Sequence, residues 1–176
     1  MVDISANKDQ PGFDSALNLL HACHDRIMDQ CTTLQKLMQH LPMNGNDDQA
    51  KQAAQSILRY FDTAGQLHHQ DEEIDLFPLL LASKHEDAEG MIKRLLDEHQ
   101  QIDALWLRLR PVLEAIAEGK TDTIERMLVA DFSFAYGKHV MFENTQMLPL
   151  SALVLSEQQQ LDIGKKMAAR RGITPK

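Results

Sequence analysis

The sequence predicts an all-α protein, an antiparallel up-down four-helix bundle closed by a short C-terminal helix. Three observations carry that prediction. Apolar residues recur at alternating steps of three and four through four long runs, which is the period of one helix face. The 8 Gly and 6 Pro of the 176-residue chain cluster outside those runs. Aromatic residues are only 5% of the chain, while the helix formers Leu, Gln, Ala and Met are abundant.

Residues 1–12 are polar, end in Pro11-Gly12 and read as an N-terminal arm. Phe13, Leu17, Leu20, His24, Ile27, Cys31, Leu34, Met38 and Leu41 then form the seam of a first helix, with His24 inside it. Pro42-Met43-Asn44-Gly45 breaks that helix, and Asn46 with Gln49 resembles a capping box for the next. The second stripe is Ala50, Ala54, Leu58, Phe61, Gly65, His69, Glu73, Leu76 or Phe77, and Leu80. Ser83 with Glu86 offers the following cap. A third stripe runs through Ala88, Met91 or Ile92, Leu95, His99, Ile102, Trp106, Leu109, Leu113 and Ile116, ending at Gly119. Asp122 with Glu125 opens the fourth, whose stripe is Ile124, Leu128, Phe132, Ala135, His139, Glu143 and Met147 before Pro149 ends it. Ser156 with Gln159 caps a final helix carrying Leu161, Ile163 and Met167. No linker separates domains, so the division is an arm at 1–12, a bundle at 13–150 and a capping helix with tail at 151–176.

An internal echo supports two related helical hairpins. Leu20-His21-Ala22-Cys23-His24-Asp25-Arg26-Ile27 matches Leu95-Leu96-Asp97-Glu98-His99-Gln100-Gln101-Ile102, and each is followed 40 to 45 residues later by His-x-x-x-Glu.

The formal charge of -8 argues against the phosphate backbone of nucleic acid as a partner. Cys23 and Cys31 are about 12 Å apart along one helix, too far for a disulfide, and read as reduced packing thiols. The chain opens without the charged start and apolar core of a signal peptide, and no apolar run approaches membrane-spanning length. Those features predict a cytoplasmic protein with no membrane partner.

Chemistry enters with His69-x-x-x-Glu73 and its second copy, His139-x-x-x-Glu143. Residues four apart project from one helix face, so an imidazole and a carboxylate can reach one ion together. A carboxylate within an apolar stripe is costly unless something pairs with it. At a rise of about 1.5 Å per residue from the turns, His24, His69, His99 and His139 fall at about one level of the bundle. Six inward groups, His24, His69, Glu73, His99, His139 and Glu143, could therefore hold two metal ions, each carboxylate bridging. Two ferrous ions against two glutamates leave positive charge, which favours hydroxide, oxo, dioxygen or nitric oxide as further ligands.

Other polar groups have blander readings. His21 replaces His24 if the first helix is rotated, and His68, Asp71 and Glu72 read as a solvated polar edge. His40 and His85 lie near turns, Met28, Met91, Met127 and Met147 read as gap-filling core, and Trp106 as packing. Tyr136 has no assigned role. Lys165, Lys166, Arg170 and Arg171 read as a solvated face of the capping helix.

Taken together, Leu20 through Ile27, His68-His69-x-x-Glu72-Glu73-x-x-x-Phe77-Pro78, Glu98-His99, and His139 through Pro149 resemble the hemerythrin-like, or HHE cation-binding, family. The tail Gly164-Lys165-Lys166-Met167-Ala168-Ala169-Arg170-Arg171-Gly172 is also similar to that of many bacterial members. The resemblance implies a non-haem di-iron centre, oxo- or hydroxo-bridged, held by the same six residues, with zinc or manganese as alternatives for the same donors. The chain departs from the oxygen-carrying members, which use five histidines with Glu and Asp. Here Asp103 stands one turn after His99, and Glu143 stands in place of Asp. The implied function is binding of oxygen, nitric oxide or iron for sensing, storage or stress detoxification. The alternative is a di-iron enzyme of oxidase, peroxidase or iron-sulfur-centre repair type, although no residue outside the ligand set reads as a dedicated acid, base or electron donor.

Overall fold

The first apolar run folds as α1, Ala16–Asn44, in the computed structural model, which describes residues 15–173. Its buried face is Ala16, Leu20, His24, Ile27, Cys31, Leu34, Leu37 and Leu41. The arm at 1–12, Phe13 of the first stripe and the last three residues of the tail lie outside the described residues. Pro42 does not break α1 but sits in its last turn, and the stop comes at Gly45, whose φ of 69° and N–H bond to the Leu41 carbonyl suit glycine. Asp47 rather than Asn46 caps α2 (Asp48–Asp62), accepting from the Ala50 N–H at 2.9 Å. Asn46 instead donates to the carbonyls of Ile116 and Thr121, tying this turn to the far end of another hairpin.

The second run is not one continuous helix. After α2 the backbone breaks at Thr63 and resumes as α3 (Ala64–Gln70), a π-helical segment π1 (Asp71–Leu76) and α4 (Phe77–Ala82). Asp87 precedes α5 (Ala88–Ala117), and Ser83 turns its hydroxyl back to the Leu80 carbonyl instead of capping that helix. The fourth run begins later than expected, as α6 (Arg126–Phe142), and Asp122 forms no capping box with Glu125. It continues through π2 (Glu143–Met147) into α7 (Leu148–Val154), so Pro149 lies within the helix rather than ending it. Ser156 and Gln159 form the expected capping box of α8 (Glu157–Arg170).

Both π segments have the same local cause. Pro78 and Pro149 have no N–H to give and would crowd the carbonyl four residues back. The helix widens just before each, so that Phe77 donates to the Glu72 carbonyl and Leu148 to the Glu143 carbonyl, five residues back. Single wide turns of this kind recur at functional sites.

α1 packs on α2 and α6, and α5 packs on the same two helices, closing a ring of four. Two apolar clusters fill it. One holds Ile27 to Leu41 of α1, Ala50 to Phe61 of α2, Ile102 to Ile116 of α5 and Leu128 to Val140 of α6. The other holds Ala16 and Leu20, Leu76 to Leu80, Ile92 and Leu95, and Met147 to Leu155, sealed by Ile163 and Met167 of α8. Successive runs cross between the clusters in opposite senses, and the residues between the clusters on every run are histidines and carboxylates. Among the described residues no helix is long and apolar enough to cross a membrane. Met127, read as core filling, is 64% exposed.

Candidate metal centre

α1 brings His24 to the band between the clusters, α3 brings His68 and His69, π1 Glu72, α5 His99, α6 His139 and π2 Glu143. All seven are buried. Their potential ligand atoms fall into overlapping groups: His24, His68, Glu72 and Glu143; Glu72, His99, His139 and Glu143; and His69, His99 and His139. Each glutamate divides its two oxygens between the first two groups. Glu72 Oε1 is 3.4 Å from His68 Nε2, and its Oε2 is 3.3 Å from His99 Nε2. Glu143 Oε2 is 3.0 Å from His24 Nε2, and its Oε1 is 3.1 Å from His139 Nε2.

These short approaches are not hydrogen bonds. All four carboxylate oxygens of Glu72 and Glu143, with Nε2 of His24, His68 and His69, are buried with no hydrogen-bond partner among the described residues. Orphaned polar groups are rare in native interiors because each costs about 1–3 kcal/mol, more when charged. Atoms that crowd together yet do not bond to one another are aimed at a common point, as donors to a cation are. The residues therefore fit metal ions.

The outer nitrogens carry the same message. His24 Nδ1 lies 2.6 Å from Asn144 Oδ1, His99 Nδ1 2.6 Å from Glu73 Oε1, and His139 Nδ1 3.0 Å from Glu98 Oε2. Carboxylate and amide oxygens only accept, so each Nδ1 donates and each Nε2 is left facing inward, where it offers a lone pair once its own proton is displaced. The arrangement is pseudo-symmetric. The residue after each shared glutamate, Glu73 or Asn144, orients a histidine of the other hairpin. His68 has no such support, since its Nδ1 is also unpartnered. His69 stacks on His99 at 3.9 Å between ring centroids and gives that side a third imidazole.

Charge follows from the same contacts. Burial raises the Glu72 carboxyl, but His68, His24 and His99 outweigh it and hold it well below the usual range. Glu143 is pushed up by burial and by Glu72, yet His139 and His24 bring it below its ordinary value. Burial would lower His24 and His99, and the two glutamates instead hold them at about 10 and about 9, Glu73 also contributing to His99. His69 is pushed well below its usual value by burial and by His99. In the metal-free chain, protons on imidazoles compensate two buried carboxylates, a task that bound cations would take over.

Of the six residues singled out in the sequence, five meet here and Glu73 does not. Its side chain is 41% exposed and it supports His99 from outside. Glu72 stands in the shared position, and His68, first read as a polar edge, faces His24 across the site with ring centroids 4.9 Å apart. His21 is exposed, which leaves His24 as the inward histidine. A signal for the correct register exists in the sequence. His68, Glu72 and Pro78 have the spacing of His139, Glu143 and Pro149, whereas His69 and Glu73 are one residue off.

Asp71 and Asp75 are buried as well, against Arg170 and Arg171, which are therefore not a solvated face. Arg170 donates to Asp71 and, at 2.6 Å, to Asp75; Arg171 donates to Asp71 at 2.6 Å. These pairs clamp α8 onto the segment that carries Glu72.

A helical protein with inward histidines and two shared carboxylates is, as a class, a cation-binding bundle. The sequence profile of the hemerythrin HHE cation-binding domain matches residues 15–151, and the chain belongs to that family. An uncharacterized protein of Haemophilus influenzae is 28% identical over 161 residues, covering 92% of each chain.

Proposed function

We propose that the chain holds two iron ions side by side and uses the pair to bind oxygen, nitric oxide or further iron, in sensing, storage or detoxification. The observation that carries this reading is the division of both glutamates. Each of two buried carboxylates offers one oxygen to His24 and His68 and the other to the His99 and His139 side, an arrangement that a pair of ions would use in full. One ion would be held by His24, His68, Glu72 and Glu143, and its neighbour by His99, His139, Glu72, Glu143 and His69. Imidazole and carboxylate together suit iron, and also zinc or manganese. When bound, ferrous ions supply electrons and open positions to a small ligand.

The chain's own residues then set the surroundings. Asn144, Glu73 and Glu98 fix the Nδ1 protons and so the direction of each Nε2. Phe77 stacks on His99 and helps keep water from that side. Loading the purified chain with ferrous iron, counting the metal and recording absorption before and after oxidation tests the proposal. Two irons per chain with near-ultraviolet charge-transfer bands on oxidation are expected. One ion per chain, or iron-loaded protein without such bands, would contradict it.

A further inference from the structure

α6 is apolar on both sides. Leu128, Phe132 and Tyr136 face the core, yet Met127, Phe134 and Met141, spaced seven residues apart, are 64%, 74% and 63% exposed. A helix apolar all round is ordinarily covered all round. Small residues alternate with these large ones, at Ala130 and Gly137. Among the described residues a Cβ on Gly137 would meet only Met28 Cε at 3.7 Å, an ordinary contact, so nothing there requires a glycine. Glycine nonetheless weakens a helix interior relative to alanine. Ser133, only 7% exposed, lines the same groove between α6 and Gln35 of α1, and its hydroxyl has no hydrogen-bond partner. Large knobs, small gaps and an unused hydroxyl on the floor suit the close approach of another helix.

We propose that this face docks a second copy of the chain, α6 against α6, antiparallel about a two-fold axis near Phe134. Reversing the helix about that residue sets Met127 against the partner's Met141 and Asp131 beside the partner's Lys138. Asp131 then gains an opposite charge, supplied by a Lys138 that pairs with Glu98 of its own chain at 3.2 Å and keeps 39% of its side chain exposed, so the stripe is self-complementary as an isologous interface requires. Parallel docking would set Asp131 on Asp131 and Lys138 on Lys138. α6 has 17 residues and is about 25 Å long, so the interface is at the small end for specific contacts, below about 1,200 Å² in total. An interface of that size suits weak, reversible association, and the proposal sets it at about the micromolar range.

Sedimentation equilibrium of the full chain from about 1 to about 300 μM brackets such a dissociation constant. The mass should rise from 20.0 kDa toward twice that value. Phe134→Glu should stay monomeric throughout, and Asp131→Lys should weaken association at least about tenfold, by placing like charges together. Phe134→Cys should cross-link to its partner under a mild thiol oxidant, while Leu107→Cys, whose native side chain on α5 is 72% exposed, should not. Thermal melts of each variant separate lost docking from lost folding. A wild-type chain monomeric across the range, a dimer that survives Phe134→Glu, or equal cross-linking at both cysteines would overturn the proposal.

Discussion

Replacing Glu72 with alanine should cost the chain at least one of two bound irons, while the same change at the adjacent Glu73 should only weaken binding. Glu72 is fully buried, and neither of its oxygens has a hydrogen-bond partner. On the two-ion proposal its loss would remove a donor from both ions at once and leave Glu143 as the buried carboxylate between them, so a second cation would lose most of its electrostatic support. Glu73 acts one bond further out, accepting from His99 Nδ1 at 2.6 Å with 41% of its side chain exposed. Removing an outer partner of a ligand histidine costs about 10–100-fold in metal affinity, or about 1.4–2.7 kcal/mol. Both variants would be loaded anaerobically with ferrous iron, desalted and analysed for iron per chain, with a thermal melt to show that each is folded. Glu72→Ala should keep at most one ion, and Glu73→Ala should load two at saturating iron with a weaker dissociation constant. Two irons in Glu72→Ala, or none in Glu73→Ala, would mean that the shared carboxylate is misassigned.

Further consequences follow from the same contacts. Because carboxylate neighbours hold His24 at about 10 and His99 at about 9, loading both proposed ions should release about two protons between about pH 6 and 8, one per ion, so the affinity for each ion should rise about tenfold per pH unit and fall on acidification. Calorimetry in buffers of different ionisation enthalpy counts those protons, and metal binding without proton release would be the contrary result. The double change Arg170→Met, Arg171→Met leaves Asp71 buried without a cation and should destabilise the fold by about 3–5 kcal/mol in urea unfolding. A change under about 1 kcal/mol would show that α8 is not clamped by these pairs. Phe132→Ala opens the core where Phe61, Trp106 and Tyr136 converge, for a loss of about 3–5 kcal/mol by the same assay.

The helical fold was legible because apolar periodicity is a property of every turn and survives local irregularity. His24, His99, His139 and Glu143 were legible for the same reason, as polar residues where the stripe demands apolar ones. His68 and Glu72 were not. The count along the second stripe holds past the break at Thr63 as far as Gly65, then steps by four to His69 and Glu73, whereas the inward face steps by three to His68 and on to Glu72, and a one-residue slip turns a side chain by about 100°. Pro78 and Pro149 held the correction, since both mark a widened turn six residues after a shared glutamate. The α8 clamp escaped for another reason. Asp71 and Asp75 look solvated until the chain folds back some 95 to 100 residues later, and no local pattern records that contact. α6 was read for its inner stripe alone, so the outward Met127 was assigned to the core.

Anomalous scattering from crystals of the iron-loaded chain would locate the ions directly. Two iron peaks are predicted between Glu72 and Glu143, one beside His24 and His68 and the other beside His99 and His139. A single peak, or iron bound away from those two carboxylates, would contradict the account.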